Sequence, residues 1–77
     1  MVSLDDIVEV APEKMSGAPV FRGTRVLVQT FLDHLEAGDS LDQFLAEFPT
    51  VQRHQAVHFV ELAGKAALEP LSAHPSR

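Results

Sequence analysis

The sequence predicts a mainly α-helical protein, a three-helix helix-turn-helix bundle preceded by a short N-terminal β element. Two successive segments, starting at Val28 and Leu41, place apolar residues at positions i, i+3, i+4 and i+7, which is typical of helices with one buried face. A proline-containing break at Pro49 separates them from a third, alanine-rich segment. The residues before Val28 are instead rich in β-branched side chains, glycine and proline, as expected for short strands and turns.

The predicted β element consists of two short apolar stretches separated by turn residues. Residues 7–10 form a strand that ends before Pro12, and residues 1–6 are expected to be a frayed lead. Residues 20–26 contain a tight turn at Gly23 and Thr24, because glycine adopts positive φ without steric cost. Strands this short do not form a stable sheet alone, so they require the helices or the strands of a second subunit.

The first predicted helix covers residues 28–37, and the second begins after Ser40. Gly38 is placed to adopt the left-handed conformation that often ends a helix. Ser40 and Gln43 match a capping box, and Pro49 ends the second helix because the residue before a proline avoids helical geometry. The predicted buried faces contain Val28, Phe31, Leu32, Leu35, Leu41, Phe44, Leu45 and Phe48.

The third predicted helix extends to Leu68 and stops at Pro70. Residues 1–68 therefore form a single predicted domain, followed by a flexible tail of residues 69–77. On residue types alone Thr50 is the natural N-cap of this helix.

At about 100° per residue, the third helix is apolar around most of its circumference. Its predicted core stripe contains Ala56, Val60, Ala63 and Ala67, and its polar stripe contains His54, His58, Glu61 and Lys65. A helix on the surface of a small bundle needs only one apolar side. The excess predicts that Phe59 and Leu62 contact a dimer mate or another partner. Alternatively, the surplus alanines are simply good helix formers at the surface.

The composition favours a protein that acts with a partner. The chain has 77 residues, no cysteine and a net charge of −5, of which residues 1–50 carry −6 and residues 51–77 carry +1. Small domains without disulfides or metal sites often depend on oligomerisation, so a homodimer or a heterocomplex is expected. An acidic face suits a basic partner, whereas nucleic acid should bind weakly to this chain by itself. No cofactor is expected.

No signal peptide is expected, because no apolar run follows a positively charged start, and no apolar stretch of the sequence is long enough to span a bilayer. The absence of cysteine is compatible with the cytoplasm, and a cytoplasmic location is expected.

One motif resembles a known family. The run Gly17-x-Pro19-Val20-x-Arg22-Gly23-Thr24-Arg25-Val26-x-Val28, followed by Gly38-Asp39-Ser40 and Phe48-Pro49, is similar to the signature of the domain-of-unknown-function family numbered 433. These small prokaryotic proteins are often classed as antitoxin-like. The resemblance covers roughly residues 7–68. Ala18 departs from the pattern where the family usually has a basic residue, and Leu27 departs where it usually has proline.

The resemblance implies an antitoxin-like regulator, because relatives are commonly encoded beside a PIN-like ribonuclease toxin that they would neutralise. It also places the N-cap of the third helix at Gln52, where relatives usually carry serine or threonine. Operator DNA would bind through the helix-turn-helix, as a dimer or within the toxin complex. The alternative is a protein-interaction and dimerisation module that does not bind DNA. Enzymatic activity is not expected.

The predicted DNA-reading residues lie at the start of the third helix, where a helix-turn-helix protein enters the major groove. They are Gln52, Arg53, His54 and Gln55; arginine pairs well with guanine and glutamine with adenine. The alternative is a solvated helix start without a ligand.

Two further sets of polar residues have two interpretations each. Arg22 and Arg25 contact a phosphate or a partner carboxylate, or else they brace the β element by pairing with acids such as Asp33 or Glu36. The spacing of His54 and His58 suits a shared metal ion, and the acids Asp39, Asp42 and Glu47 suit a nuclease centre. For these histidines and acids, an exposed helix face and helix capping are the favoured explanations, so no metal site is predicted.

Overall fold

The structure is a computed structural model that describes residues 2–72. A helical turn, α1 (Leu4–Ile7), runs directly into strand β1 (Val8–Glu9), and a 3-10 turn (Met15–Gly17) leads to strand β2 (Val20–Phe21). Three helices follow: α2 (Val28–Glu36), α3 (Leu41–Glu47) and α4 (Arg53–Ser72). The predicted fold class, mainly helical with a small N-terminal β element, is confirmed. The predicted frayed lead is wrong in part, since it contains α1.

The β element is an antiparallel pair in which Val8 lies opposite Phe21 and Glu9 lies opposite Val20. The chain turns sharply after Phe21, where Gly23 has a φ of 81°. The hydroxyl of Thr24 donates to the carbonyl oxygen of Phe21 at 2.8 Å, which closes the turn from inside. The tight turn at Gly23 and Thr24 is therefore confirmed.

The junction between α2 and α3 follows from its local sequence. Gly38 has a φ of 92°, the left-handed conformation expected after a helix end. The backbone N–H of Gln43 donates to the hydroxyl of Ser40 at 3.1 Å, and the N–H of Ser40 donates to Oε1 of Gln43 at 2.6 Å. The predicted capping box is thus present in both directions.

Helix α4 begins at Arg53, so Gln52 occupies the N-cap position and Thr50 does not. The helix passes Pro70 and ends at Ser72, beyond the predicted end at Leu68. Pro70 lies in the last turn, so its missing N–H and its ring affect only the hydrogen bonding of the turn just before the helix ends. The first residues of the predicted flexible tail therefore belong to α4, while residues 73–77 lie outside the described part of the chain.

The core is a cluster of phenylalanine rings between the β element and the three longer helices. Phe31 lies 5.7 Å from Phe21 and 4.8 Å from Phe44, measured between ring centroids, and all three side chains are fully buried. Val20, beside Phe21, is also fully buried. The helices of the same chain therefore pack against the short β pair. None of the helices within residues 2–72 combines the length and the apolar content that a membrane-spanning segment needs.

Candidate functional site

The start of α4 presents three of its four predicted DNA-reading side chains to solvent. Gln52, Arg53 and His54 are exposed, whereas Gln55 is only 6% exposed. The Gln55 side chain accepts a hydrogen bond from the backbone N–H of Gln52 at 2.9 Å and donates one to the carbonyl oxygen of Arg22 at 2.9 Å. The prediction that Gln55 reads DNA is therefore wrong, because its amide caps α4 and ties it to the β turn.

Arg53 is not free at the helix start. Its guanidinium forms an ion pair and a hydrogen bond with the carboxylate of Asp42 on α3, and both side chains are largely exposed. Exposed ion pairs contribute little to stability, so Arg53 can exchange Asp42 for another anion at low cost. A phosphate that binds here must still compete with this carboxylate.

The two arginines of the β turn have different environments. Arg22 donates from Nε to the carbonyl oxygen of Asp5 at 2.9 Å and from a terminal nitrogen to that of Val8 at 3.3 Å. Arg22 therefore braces the β element, as one of the two interpretations predicted. It does so through backbone carbonyl oxygens and not by pairing with Asp33 or Glu36. Arg25 is exposed, and within residues 2–72 it forms no hydrogen bond or ion pair.

Glu9 fastens the turn to the first strand. Its Oε1 accepts a hydrogen bond from the backbone N–H of Gly23 at 2.6 Å and another from Nζ of Lys14 at 3.1 Å. The bond from Gly23 is the main cause that holds the pKa of Glu9 below its ordinary value, and Lys14 acts in the same direction. The carboxylate is therefore stabilised in its charged form by the folded chain.

We expect Glu9→Gln to make the free energy of unfolding less dependent on pH in the acidic range. Because folding lowers the pKa of Glu9, its contribution is present above the pKa of the unfolded glutamate and is lost as the pH falls through the folded value. Urea unfolding followed by circular dichroism at several pH values between about 3 and 7 would measure this, since free glutamate titrates at about 4.3. Glu13→Gln, the same change at an exposed residue, is the control. Parallel profiles for wild type and Glu9→Gln would contradict the role of Glu9.

The buried face of α4 is not the predicted one. Ala56 is buried, but Val60, Ala63 and Ala67 are exposed, so the predicted core stripe is wrong beyond its first residue. The helix instead turns Phe59 toward the core. Phe59 therefore packs against the core and does not lie outside it, as its predicted role in a partner contact required.

The ring of Phe59 packs edge-on against Phe21 and Phe31, with centroids 6.3 and 6.1 Å apart. Leu62 is half-buried on the same side of α4. Any contact of Phe59 or Leu62 with a partner therefore involves only the part of each side chain that the fold leaves accessible.

An apolar groove lies between the N-terminal segment and α2, beside the ring of Phe59. Its volume is about 720 Å³, and its rim carries the charged residues Asp5, Glu9 and Arg22. Two apolar side chains remain strongly exposed along it, Leu4 at 48% and Val10 at 64%. The other apolar lining residues are Val8, Ala18, Pro19, Leu27, Val28, Leu32 and Phe59.

This groove is not evident from the sequence, because its walls come from separate segments of the chain. One signal was present: Leu27 is a departure from the family pattern, and it lines the groove.

The histidines and acids that suggested metal or nuclease chemistry are dispersed. His54 and His58 have ring centroids 6.1 Å apart, and within residues 2–72 no three metal-ligating side chains converge. Asp42 pairs with Arg53, while the carboxylate of Asp39 accepts a hydrogen bond from Nδ1 of His34 at 2.8 Å at the α2–α3 junction. These acids therefore join one helix to the next.

The fold and its surfaces define a class, small mainly helical proteins with an N-terminal β pair and exposed apolar surface. A family model matches residues 8–63, more than half of the chain, and is described as a protein of unknown function, DUF433. The chain belongs to this family, as its resemblance predicted. No curated protein and no solved structure matches the chain.

Proposed function

We propose that this protein is an antitoxin-like protein that binds and neutralises a PIN-like ribonuclease, and that the apolar groove is a main contact. The nature of the partner is the expectation carried by the family resemblance. The observation that supports a binding role is the groove itself. It leaves the apolar side chains of Leu4 and Val10 exposed, although a chain this small can bury only a limited apolar surface by itself. Exposed apolar surface of this kind marks interaction sites in soluble proteins.

The charge of the chain favours a basic partner segment. Residues 1–50, which supply most of the groove, carry a net charge of −6. Asp5 and Glu9 lie at the groove rim together with one basic residue, Arg22, whose guanidinium donates to the carbonyl oxygens of Asp5 and Val8. A partner segment with apolar side chains and flanking basic residues would bury its apolar face in the groove and pair its charges at the rim.

We expect Val10→Asp to weaken binding of the ribonuclease about tenfold or more, since a charge in a buried apolar contact leaves an unpaired group at the interface. Isothermal titration of the ribonuclease encoded beside this chain's gene would measure the affinity, and its activity on RNA would report neutralisation. Ala46→Asp places the same charge on the exposed surface of α3 and is the matched control. Equal affinities of the two variants for the ribonuclease would contradict the groove as its contact surface. The absence of a neighbouring gene for a PIN-like ribonuclease, or of any binding to it, would contradict the proposed function.

Operator DNA binding is a second candidate function. The exposed Gln52, Arg53 and His54 at the first turn of α4 support it, because they stand where a helix-turn-helix protein contacts bases. The net charge of −5 and the Arg53–Asp42 pair oppose it, since both disfavour a phosphate backbone near this turn.

A pair of opposite substitutions would test this second candidate. If Arg53 reads DNA, Arg53→Ala should cost about 1–3 kcal/mol of binding free energy. Asp42→Asn should instead strengthen binding, because it releases Arg53 and removes a negative charge. Electrophoretic mobility shifts on labelled promoter DNA at two salt concentrations would measure both, with and without the ribonuclease. If no specific shift is seen with or without the ribonuclease, DNA binding is contradicted and only the protein-interaction role remains.

A further inference from the structure

The turn that connects the two strands has an unusual backbone. Met15, Ser16 and Gly17 have φ angles of 49°, 57° and 82°, so three consecutive residues lie in the left-handed region. Glycine adopts this region without steric cost, whereas a side chain makes it unfavourable. Met15 is the strongest outlier of the three, because bulky residues rarely occur at positive φ. The turn therefore holds strain at a residue whose side chain is long and apolar.

Hydrogen bonds hold the turn in this conformation beside the apolar groove. The N–H of Gly17 donates to the carbonyl oxygen of Lys14 at 2.9 Å, and the N–H of Ala18 donates to that of Met15 at 3.1 Å. Ala18 and Glu9 both line the groove, and Nζ of Lys14 pairs with Oε1 of Glu9 at 3.1 Å. Met15 is thus joined to two residues of the groove wall, directly to Ala18 and through Lys14 to Glu9.

The side chain of Met15 does not serve the core of the fold. It is 44% exposed, and it is not among the residues packed against the core cluster. A turn that needed only a left-handed backbone at residue 15 would be more stable with glycine or asparagine there. Strained residues of this kind cluster at functional sites, and methionine is well suited to contact surfaces because its side chain is flexible and polarisable.

We infer that Met15 is an anchor of the contact with the ribonuclease, presented by the strained turn to an apolar pocket of that protein. The inference rests on the proposed function and deepens it, since it gives the partner a second feature. The partner must supply an apolar segment for the groove and, beside that segment, a pocket for Met15. Leu4, Val10 and Met15, exposed at 48%, 64% and 44%, are then the apolar side chains that the partner covers.

The charges around Met15 suit the same basic partner. Lys14 is half-buried, and its ammonium group is already paired with Glu9. Glu13 is exposed, and within residues 2–72 its carboxylate forms no hydrogen bond or ion pair. Two residues before Met15 the chain therefore offers an unpaired carboxylate to a basic side chain at the rim of the partner's pocket.

Three variants separate the side chain of Met15 from the strain of the turn. Met15→Leu keeps a long apolar side chain and should bind the ribonuclease with an affinity within about threefold of wild type. Met15→Asn removes the apolar side chain but suits the left-handed backbone, so it should weaken binding about tenfold or more without lowering the melting temperature. Ser16→Gly relieves strain and keeps Met15, so it should raise the melting temperature by about 2–4 °C and leave the affinity unchanged.

Isothermal titration of the ribonuclease encoded beside this chain's gene would give the affinities, and thermal unfolding followed by circular dichroism would give the melting temperatures. Methyl NMR would observe the contact directly, because Met1 and Met15 are the only methionines. In a chain labelled with ¹³C-methyl methionine, the signal of Met15 is the one that Met15→Leu lacks. It should shift when the ribonuclease is added.

The outcomes distinguish this inference from the proposed function. If Val10→Asp weakens ribonuclease binding but Met15→Asn does not, or if the Met15 methyl signal is unchanged in the saturated complex, Met15 is no anchor and the proposed function remains. If the wild type does not bind the ribonuclease, both are overturned. Lower melting temperatures for both Met15→Asn and Ser16→Gly would show that the turn is not strained and would also overturn the inference.

Discussion

Phe31→Ala should unfold most of this protein near its growth temperature or lower its melting temperature by about 12 °C or more. The Phe31 side chain is fully buried, and its ring lies against those of Phe21, Phe44 and Phe59. Truncating a buried phenylalanine costs about 3–5 kcal/mol, because it removes apolar contacts and leaves a cavity. A chain of 77 residues has little more than that in total, about 4–12 kcal/mol.

Thermal unfolding followed by circular dichroism would measure this loss. Leu35→Ala on the same helix is the matched comparison, since its side chain is 37% exposed and outside the core cluster. We expect a clearly smaller loss there. Similar melting temperatures for both variants would show that the phenylalanine cluster does not carry the fold.

Gln55→Leu should destabilise the protein by about 1–3 kcal/mol, although it replaces a polar side chain with an apolar one of similar size. The Gln55 amide satisfies the N–H of Gln52 and the carbonyl oxygen of Arg22, and leucine can do neither. The second bond joins α4 to the β turn across 33 positions of the chain, so its loss should also loosen the turn. Chemical unfolding would give the free energy of unfolding, and hydrogen exchange at Gly23 would report the turn.

Gln52→Ala provides a sharp control for this result. The sequence predicted that Gln52 and Gln55 both read DNA. In the structure, Gln52 contributes only its backbone N–H to this contact, and its side chain is exposed. We expect Gln52→Ala to change stability by no more than about 0.5 kcal/mol. If Gln55→Leu folds as stably as wild type and loses only DNA affinity, the structural role of Gln55 is wrong.

The parts of the fold that depend on neighbouring residues were predictable. The periodicity of α2 and α3, the capping box at Ser40 and the left-handed end at Gly38 all follow from short-range geometry that the sequence states directly. Helix α1 was missed because four residues, Leu4–Ile7, are too few to show any period. The role of Gln55 was missed although it stands at the same capping position as Gln43, because a glutamine near a helix start suits both a cap and a base.

The groove was beyond prediction, since its lining residues come from four separate segments whose packing is not encoded in any one of them. The family, in contrast, was predicted from one continuous motif around Gly23, and the family model that matches residues 8–63 confirms it.

By itself the sequence determined three helices, the caps at the α2–α3 junction, the β turn and the presence of more apolar surface on α4 than one buried face requires. Only the tertiary structure decided which face of α4 is buried. Periodicity reports that two faces are apolar but carries no information about which one meets the core. The ring of Phe59 decides it, because it fills the space beside Phe21 and Phe31 that the small alanines of the other face cannot fill. Val60 and Ala67 are consequently left exposed on another side of the helix.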